Sequence, residues 1–180
     1  LDNTLDIHGR IVERCKANDR FAQKQIYDLY SAPMFNVSYR ILNSREEAED
    51  VLQDAFLDMF RKLESFRGES TFGAWFKRIV VNKSINALKK QKHYTQPAEN
   101  IPEEEPDTAP NENYTVEHIK LAMAELKPGY RAVFTLYLFE DYTHQEISDE
   151  LGISVGTSKS QLSRAKEKVR QLVSSQKRVS

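Results

Sequence analysis

From Ala48 to Leu63 the apolar positions fall at 48, 51, 52, 55, 56, 59, 60 and 63, alternating steps of three and one. That spacing draws one stripe along an α-helix and scatters over both faces of a strand. Ser44 stands three residues before Glu47, the S-x-x-E pattern of a capping box, so the helix is expected to start at about residue 45. Its other face carries Glu46, Glu49, Asp50, Gln53, Asp54, Leu57 and Asp58. Leu57 is the odd member, an apolar side chain ringed by acids. It reads equally as an isolated surface leucine and as the centre of a partner-binding face.

The rest of the first half is also helical in pattern. Ile7, Ile11, Val12 and Cys15 suggest a first helix. A second is expected from about Asp19 to Tyr30, with Phe21, Ile26, Leu29 and Tyr30 inward. Pro33 stands where a new helix can start, with Ser31 as its cap, and that helix would run to about Leu42. After the acidic helix, the loop 65–69 leads into a helix from Ser70 or Thr71 to about Lys92. Its front is apolar and aromatic (Phe72, Trp75, Phe76, Ile79, Val80), with Trp75 expected in the core. Its back is basic and amide-rich (Asn82, Lys83, Asn86, Lys89, Lys90). Asn82 and Asn86 share one face, and side-chain amides there can read base edges.

Residues 94–113 break the pattern. They hold four prolines (97, 102, 106, 110) and the run Glu103-Glu104-Glu105, with Ile101 as the one aliphatic side chain larger than alanine. Such a stretch cannot bury enough apolar area to offset its ordering entropy. It reads as a flexible acidic linker between a domain of residues 1–93 and one of 114–180. Fully extended, it would reach roughly 65 Å.

Four helical signals follow. The first runs from about Thr115 to Leu126, and Lys127-Pro128-Gly129 ends it. The second spans about Tyr130 to Phe139. The third is short, opened by the capping box Thr143…Glu146 and closed at Leu151-Gly152. The last runs from Val155 to about Val173, capped by Ser154. The fold class expected is therefore all-α, in two helical domains.

Charge sharpens this picture. The chain of 180 residues carries 27 acids and 26 bases, a net of −1, but the charges are segregated. Residues 75–95 hold six bases and no acid, and residues 156–180 hold seven bases against Glu167 alone. Each basic segment ends a helical domain, and together they favour an anionic polymer as partner. No apolar run approaches the roughly 18–20 residues of a membrane span. The single cysteine excludes an internal disulfide framework, and no charged-then-apolar leader opens the chain, so a cytoplasmic protein is expected. His8, His93, His118 and His144 are scattered without metal-ligand spacing, and no serine sits in a nucleophile elbow. No enzyme, catalytic residue, metal or cofactor is expected.

The stretch Thr143–Ala165 fits a helix-turn-helix. Ile147 and Leu151 face inward, Gly152 supplies the positive φ of the tight turn, and Ile153 plugs the corner. Val155, Leu162, Ala165, Val169 and Leu172 form the buried edge of the second helix. Thr157, Lys159, Ser160, Gln161, Ser163 and Arg164 remain for the major groove and its flanking phosphates, with Lys166 close behind. Ser158 interrupts the apolar stripe and is expected to bond back to the carbonyl four residues earlier.

Two segments together resemble an extracytoplasmic-function (ECF, group 4) sigma factor, a bacterial transcription initiation factor. One runs from Tyr27 through Glu49-Asp50-Val51-Leu52-Gln53-Asp54-Ala55-Phe56 to Ser70-Thr71-Phe72-Gly73-Ala74-Trp75-Phe76-Lys77-Arg78-Ile79-Val80-Val81-Asn82. The other runs from Tyr142-Thr143-His144-Gln145-Glu146-Ile147 through Leu151-Gly152-Ile153-Ser154-Val155-Gly156-Thr157-Ser158-Lys159-Ser160. The resemblance covers about residues 20–92 and 115–173.

It implies a sigma region 2 domain, a linker and a sigma region 4 domain. Asp50, Gln53, Asp54, Leu57 and Asp58 would dock on the clamp of the polymerase beta-prime subunit, and the second domain would meet the beta flap. Phe66, Arg67, Ser70, Lys77, Arg78, Asn82, Lys83, Asn86, Lys89 and Lys90 would recognise and melt the promoter −10 element. Thr157, Lys159, Ser160, Gln161, Arg164 and Lys166 would read the −35 element. The family is commonly held inactive by an anti-sigma factor. The family often has an aliphatic residue at Ser158, Arg at Gln161 and Asp at Asn86, departures that bear on which promoter is read. Two rivals remain. An autonomous helix-turn-helix regulator leaves the acidic Leu57 face unexplained, and a helical adaptor leaves both basic helices unexplained.

Overall fold

The computed structural model describes residues 3–91 and 115–176, and every regular element among them is helical. The chain divides into two compact units, Leu1–Ala87 and Leu88–Ser180. The division falls inside a helix, ahead of the expected domain end at residue 93. The expected linker, 94–113, lies outside the described residues, as does His93.

The first unit begins with α1 (Asn3–Lys16) and α2 (Arg20–Leu42). Asp19 joins them. Its carboxylate caps α2 by accepting from the amides of Phe21 (2.8 Å) and Ala22 (3.2 Å), and it also holds Arg14 of α1 at 2.6 Å. These bonds, the Arg14 contact first, hold the Asp19 carboxyl below its ordinary pKa. The expected break at Pro33 is absent: α2 runs through it as one helix. Its buried positions, Ala22, Ile26, Met34, Val37, Ile41 and Leu42, keep helical phase on both sides of the proline. Continuous core packing outweighs the one backbone bond that Pro33 cannot donate. Leu29 and Pro33 both lie on the exposed side, where water can take the freed carbonyl. Phe21 and Leu29, expected inward, are 63% and 47% exposed, because the stripe runs through Ala22 and Ile26 instead. Phe21 lies under the Arg14 guanidinium, 5.9 Å from ring centre.

Asn43 ends α2 in the left-handed conformation (φ 55°), and Ser44 caps α3 (Arg45–Lys62), its hydroxyl accepting from the Glu47 amide at 3.3 Å. Ala48, Val51, Leu52, Ala55, Phe56 and Met59 are buried as the periodicity predicts. A single 3-10 turn, Leu63–Ser65, precedes the loop to α4 (Phe72–Lys90). Thr71 caps α4 through the Ala74 amide (3.3 Å). Phe72, Phe76, Val80, Val81, Ile85 and Leu88 are buried. Ser84 spends its hydroxyl on the Val80 carbonyl (2.8 Å) and the Ser38 hydroxyl of α2 (3.0 Å), so neither buried polar group is orphaned.

The second unit holds α5 (Val116–Ala124), α6 (Pro128–Leu138), α7 (His144–Leu151) and α8 (Val155–Gln176). Pro128 is the first residue of α6 rather than part of a loop, the position where a missing N–H costs nothing. Arg131, 6% exposed, donates to the Leu126 carbonyl (2.8 Å) and so ties α6 to the end of α5. The capping box at Thr143 and Glu146 is complete, and Gly152 closes α7 at φ 70°. α5, α6 and α7 all pack on α8.

Candidate nucleic-acid interface

The acidic face of α3 is open. Asp50, Gln53 and Asp54 are exposed, and Leu57, on the same side one turn further along the helix, is 50% exposed. Tyr27 of α2, also half exposed, packs on Phe56 with ring centres 4.9 Å apart. Asp58 departs from this group. It turns to the flank of α3 and pairs with Lys83 of α4 at 2.9 Å, with Arg61 at 3.5 Å. The Lys83 bond, then the charges of Lys83, Lys62 and Arg61, hold the Asp58 carboxyl below its ordinary pKa.

The other face of this unit is the outer side of α4, whose last residues, Leu88–Lys90, belong to the second unit. Arg78, Asn82, Asn86, Lys89 and Lys90 are exposed. Arg78, Asn82, Asn86 and Lys90 recur every fourth residue, so they form one polar stripe. Lys77 lies on a different side of the helix and Lys83 on the flank, both partly covered. Ahead of the helix, Arg67, Gly68, Glu69 and Ser70 are exposed, with Gly68 at φ 73°. Phe66 is half-buried. Its ring meets Phe72 edge-on at 5.6 Å and Trp75 at 5.2 Å. Both therefore belong to the rim of an aromatic cluster that continues through Phe76 to Phe56.

In the second unit, Ser154 caps α8 through the Thr157 amide (3.0 Å), and its hydroxyl also meets the Thr157 hydroxyl (2.8 Å). Lys159 and Lys166 are exposed, and Ser160, Ser163 and Arg164 partly so. Two expected exposures fail. Thr157 is 9% exposed and Gln161 only 3%, with neither amide atom of Gln161 partnered. The stripe on α8 is wider than a two-helix hairpin requires, since three helices pack on it. Its buried residues run 157, 158, 161, 162, 165, 169 and 173. Ser158 does not bond back along its own helix. Its hydroxyl meets Nδ1 of His144 at 2.9 Å, a bond between the two helices of the motif that no local pattern could show. Tyr137 stacks on His144 at 4.6 Å, and Lys166 lies over Tyr137 at 5.8 Å.

Residues 26–94 match the family "Sigma-70 region 2", and residues 117–169 match "Sigma-70, region 4". SigM of Mycobacterium tuberculosis, an ECF RNA polymerase sigma factor, is 30% identical over 158 residues, spanning 87% of this chain and 80% of its own. The chain belongs to the ECF sigma factors. SigW of Bacillus subtilis, also an ECF RNA polymerase sigma factor, is 28% identical over 173 residues, 88% of this chain and 92% of the relative.

Two solved structures share the fold. RpoE from Bartonella quintana, solved with the anti-sigma factor NepR, has a TM-score of 0.52 at 22% identity, covering 84% of this chain and 96% of the other. CnrH, solved with the cytosolic domain of CnrY, has a TM-score of 0.53 at 18% identity, covering 93% and 97%. As an ECF sigma factor, the chain directs RNA polymerase to promoters. Sigma factors are not enzymes. Among the described residues no helix is long and apolar enough to cross a membrane.

Proposed function

We propose that this sigma factor divides its task between the faces just described. Its first domain, residues 1–93, docks on the beta-prime clamp of core polymerase through Asp50, Gln53, Asp54 and Leu57. The same domain takes the −10 element on the loop Phe66–Ser70 and the stripe Arg78, Asn82, Asn86 and Lys90, with Lys89 beside it. The linker 94–113 then allows the domain 114–180 to meet the beta flap and read the −35 element with Lys159, Ser160, Arg164 and Lys166. The observation that carries the reading is Leu57, half exposed at the end of a carboxylate face, on the same unit as an exposed Asn82–Asn86 stripe. A solitary DNA-binding domain has no use for the first of these.

A net charge of −1 supports the same view. Phosphate attraction over the whole molecule is weak. A protein that borrows affinity from a larger DNA-bound machine need not be basic. The protein acts in the cytoplasm beside the polymerase, without catalytic activity of its own. An anti-sigma factor holds it inactive, a reading supported by the bound partners named for the two related structures.

The test is transcription in vitro by core polymerase with and without the protein on fragmented genomic DNA, followed by sequencing of the transcripts. Discrete start sites preceded by a shared two-part element are expected. Stable binding of the protein alone to DNA as a dimer, with no new start sites, would favour an autonomous regulator.

A further inference from the structure

Asp58 and Lys83 stand at the inner edges of the two faces of the first unit. Each helical residue advances roughly 100° around its axis. Asp58, next after Leu57, is thereby turned off the docking face to the flank of α3. Lys83, next after Asn82, is turned off the polar stripe to the flank of α4. The two side chains meet there at 2.9 Å, retaining 27% and 26% of their exposure. Arg61 reaches the same carboxylate from α3 at 3.5 Å.

The remaining contact between these helices includes Phe56 on Phe76, ring centres 4.8 Å apart and T-shaped. Packing of this kind sets the crossing of two helices only within a scatter of about 15–20°, and burial itself is non-directional. A charge-assisted hydrogen bond is short and directional. It adds little to stability when this exposed, but it can choose one register among several similar ones.

We propose that the Asp58–Lys83 pair is a positioning link that sets the register of the promoter-opening stripe of α4 against the polymerase-docking face of α3. Both residues act through α4 and touch neither polymerase nor DNA. The link rests on the assignment of the two faces made above. It makes docking and opening energetically coupled: polymerase fixes α3, and the pair passes that position to Asn82 and Asn86.

The experiment uses the full chain with core polymerase and compares Asp58→Asn, Lys83→Gln, the double variant and the exchange Asp58→Lys with Lys83→Asp. Three quantities are read: core affinity, the salt dependence of promoter binding, and permanganate reactivity of promoter thymines. Each single variant should lower open-complex formation by about two- to thirtyfold, the range expected for mutations that change coupling between sites. The double variant should lose no more than the worse single, and the exchanged pair should recover most of the loss. Core affinity, salt slope and melting temperature should stay at wild-type values.

Loss of core affinity in Asp58→Asn would overturn the proposal and make Asp58 a docking residue. A salt slope lowered by about one unit in Lys83→Gln would overturn it and make Lys83 a phosphate contact. Additive losses without recovery in the exchanged pair would also overturn it. Failure of the wild-type protein to bind core polymerase would overturn the face assignment and the link together, whereas normal wild-type binding with any one of these three overturning results removes the link alone.

Discussion

Nδ1 of His144, the first residue of α7, lies 2.9 Å from the Ser158 hydroxyl on α8, so one hydrogen bond joins the two helices of the helix-turn-helix. Burial, then the charges of Lys159 and Lys166, lower the His144 pKa from its ordinary value. The imidazole is therefore neutral in the folded protein at neutral pH. The unfolded chain binds the proton more readily, at about pH 6.5. Stability from this group is then fully present above that pH and falls as the pH drops toward the folded-state pKa. The second unit should melt at a lower temperature at pH 5.5 than at pH 7.5, and His144→Gln should flatten that dependence. Melting curves of both proteins across this range check the prediction; equal slopes would remove His144 from the account.

Core binding should depend on the open face of α3. Leu57 is an apolar anchor one turn beyond Gln53 and Asp54 on the same open face, and truncating such an anchor can cost about 2 kcal/mol or more of binding. Leu57→Ala should weaken core affinity by about thirtyfold or more on that scale, and Asp54→Lys should weaken it in the same direction. Both side chains are exposed, so helical content and melting temperature should hold. Titration of each variant against labelled core polymerase is the measurement, and unchanged affinity in both would count against the docking assignment.

These two cases also show what the sequence makes legible. The α3 stripe and the caps at Ser44, Thr143 and Ser154 are local patterns, set within four residues, so they are readable without a fold. The turn at Gly152 is of the same kind. Pro33 misleads because a local breaker competes with a stripe that only the folded core can reward. Phe21 and Leu29 mislead for a related reason, since several apolar residues on α2 can form a stripe and packing selects Ala22 and Ile26. The partners of Ser158 and Asp58 come from other helices, 14 and 25 residues away, and no spacing rule reaches them. The width of the buried face of α8 likewise depends on three helices converging on it.

Gln161 follows from that last point. Its amide is buried with neither atom paired. Leaving a polar group so placed costs about 1–3 kcal/mol, which an apolar side chain of similar length avoids. Gln161→Met should raise the melting temperature of the protein and leave upstream promoter preference in place. Lys159→Ala should behave differently. Lys159 is exposed at the start of α8, and its loss should weaken binding to all promoters alike and lower the salt slope by about one unit. Calorimetry on the first variant and salt titrations of holoenzyme on the second separate the two. A Gln161→Met protein with altered −35 preference would return Gln161 to the groove.

Strand opening should rest on the rim of the aromatic cluster. An extruded base needs a stacking surface, polar partners for its edge and a nearby charge for its phosphate. Phe66 is half-buried, its ring in contact with Phe72 and Trp75. Arg67 and Ser70 beside it are exposed, and Asn82 and Asn86 lie further along the outer stripe of α4. Unstacking a base step costs a few kcal/mol, so loss of a stacking partner should hurt opening more than initial binding. Phe66→Ala also removes core contacts, and a folding defect would lower binding and opening together. A pre-melted template separates the causes, because it supplies the unstacking that the variant cannot. Phe66→Ala holoenzyme should bind duplex promoter near normally, show weak permanganate reactivity at promoter thymines, and recover transcription on the bubble template. Normal reactivity on duplex DNA would leave Phe66 a packing residue only. Equal defects on both templates would trace the loss to the Phe72 and Trp75 contacts rather than to a base.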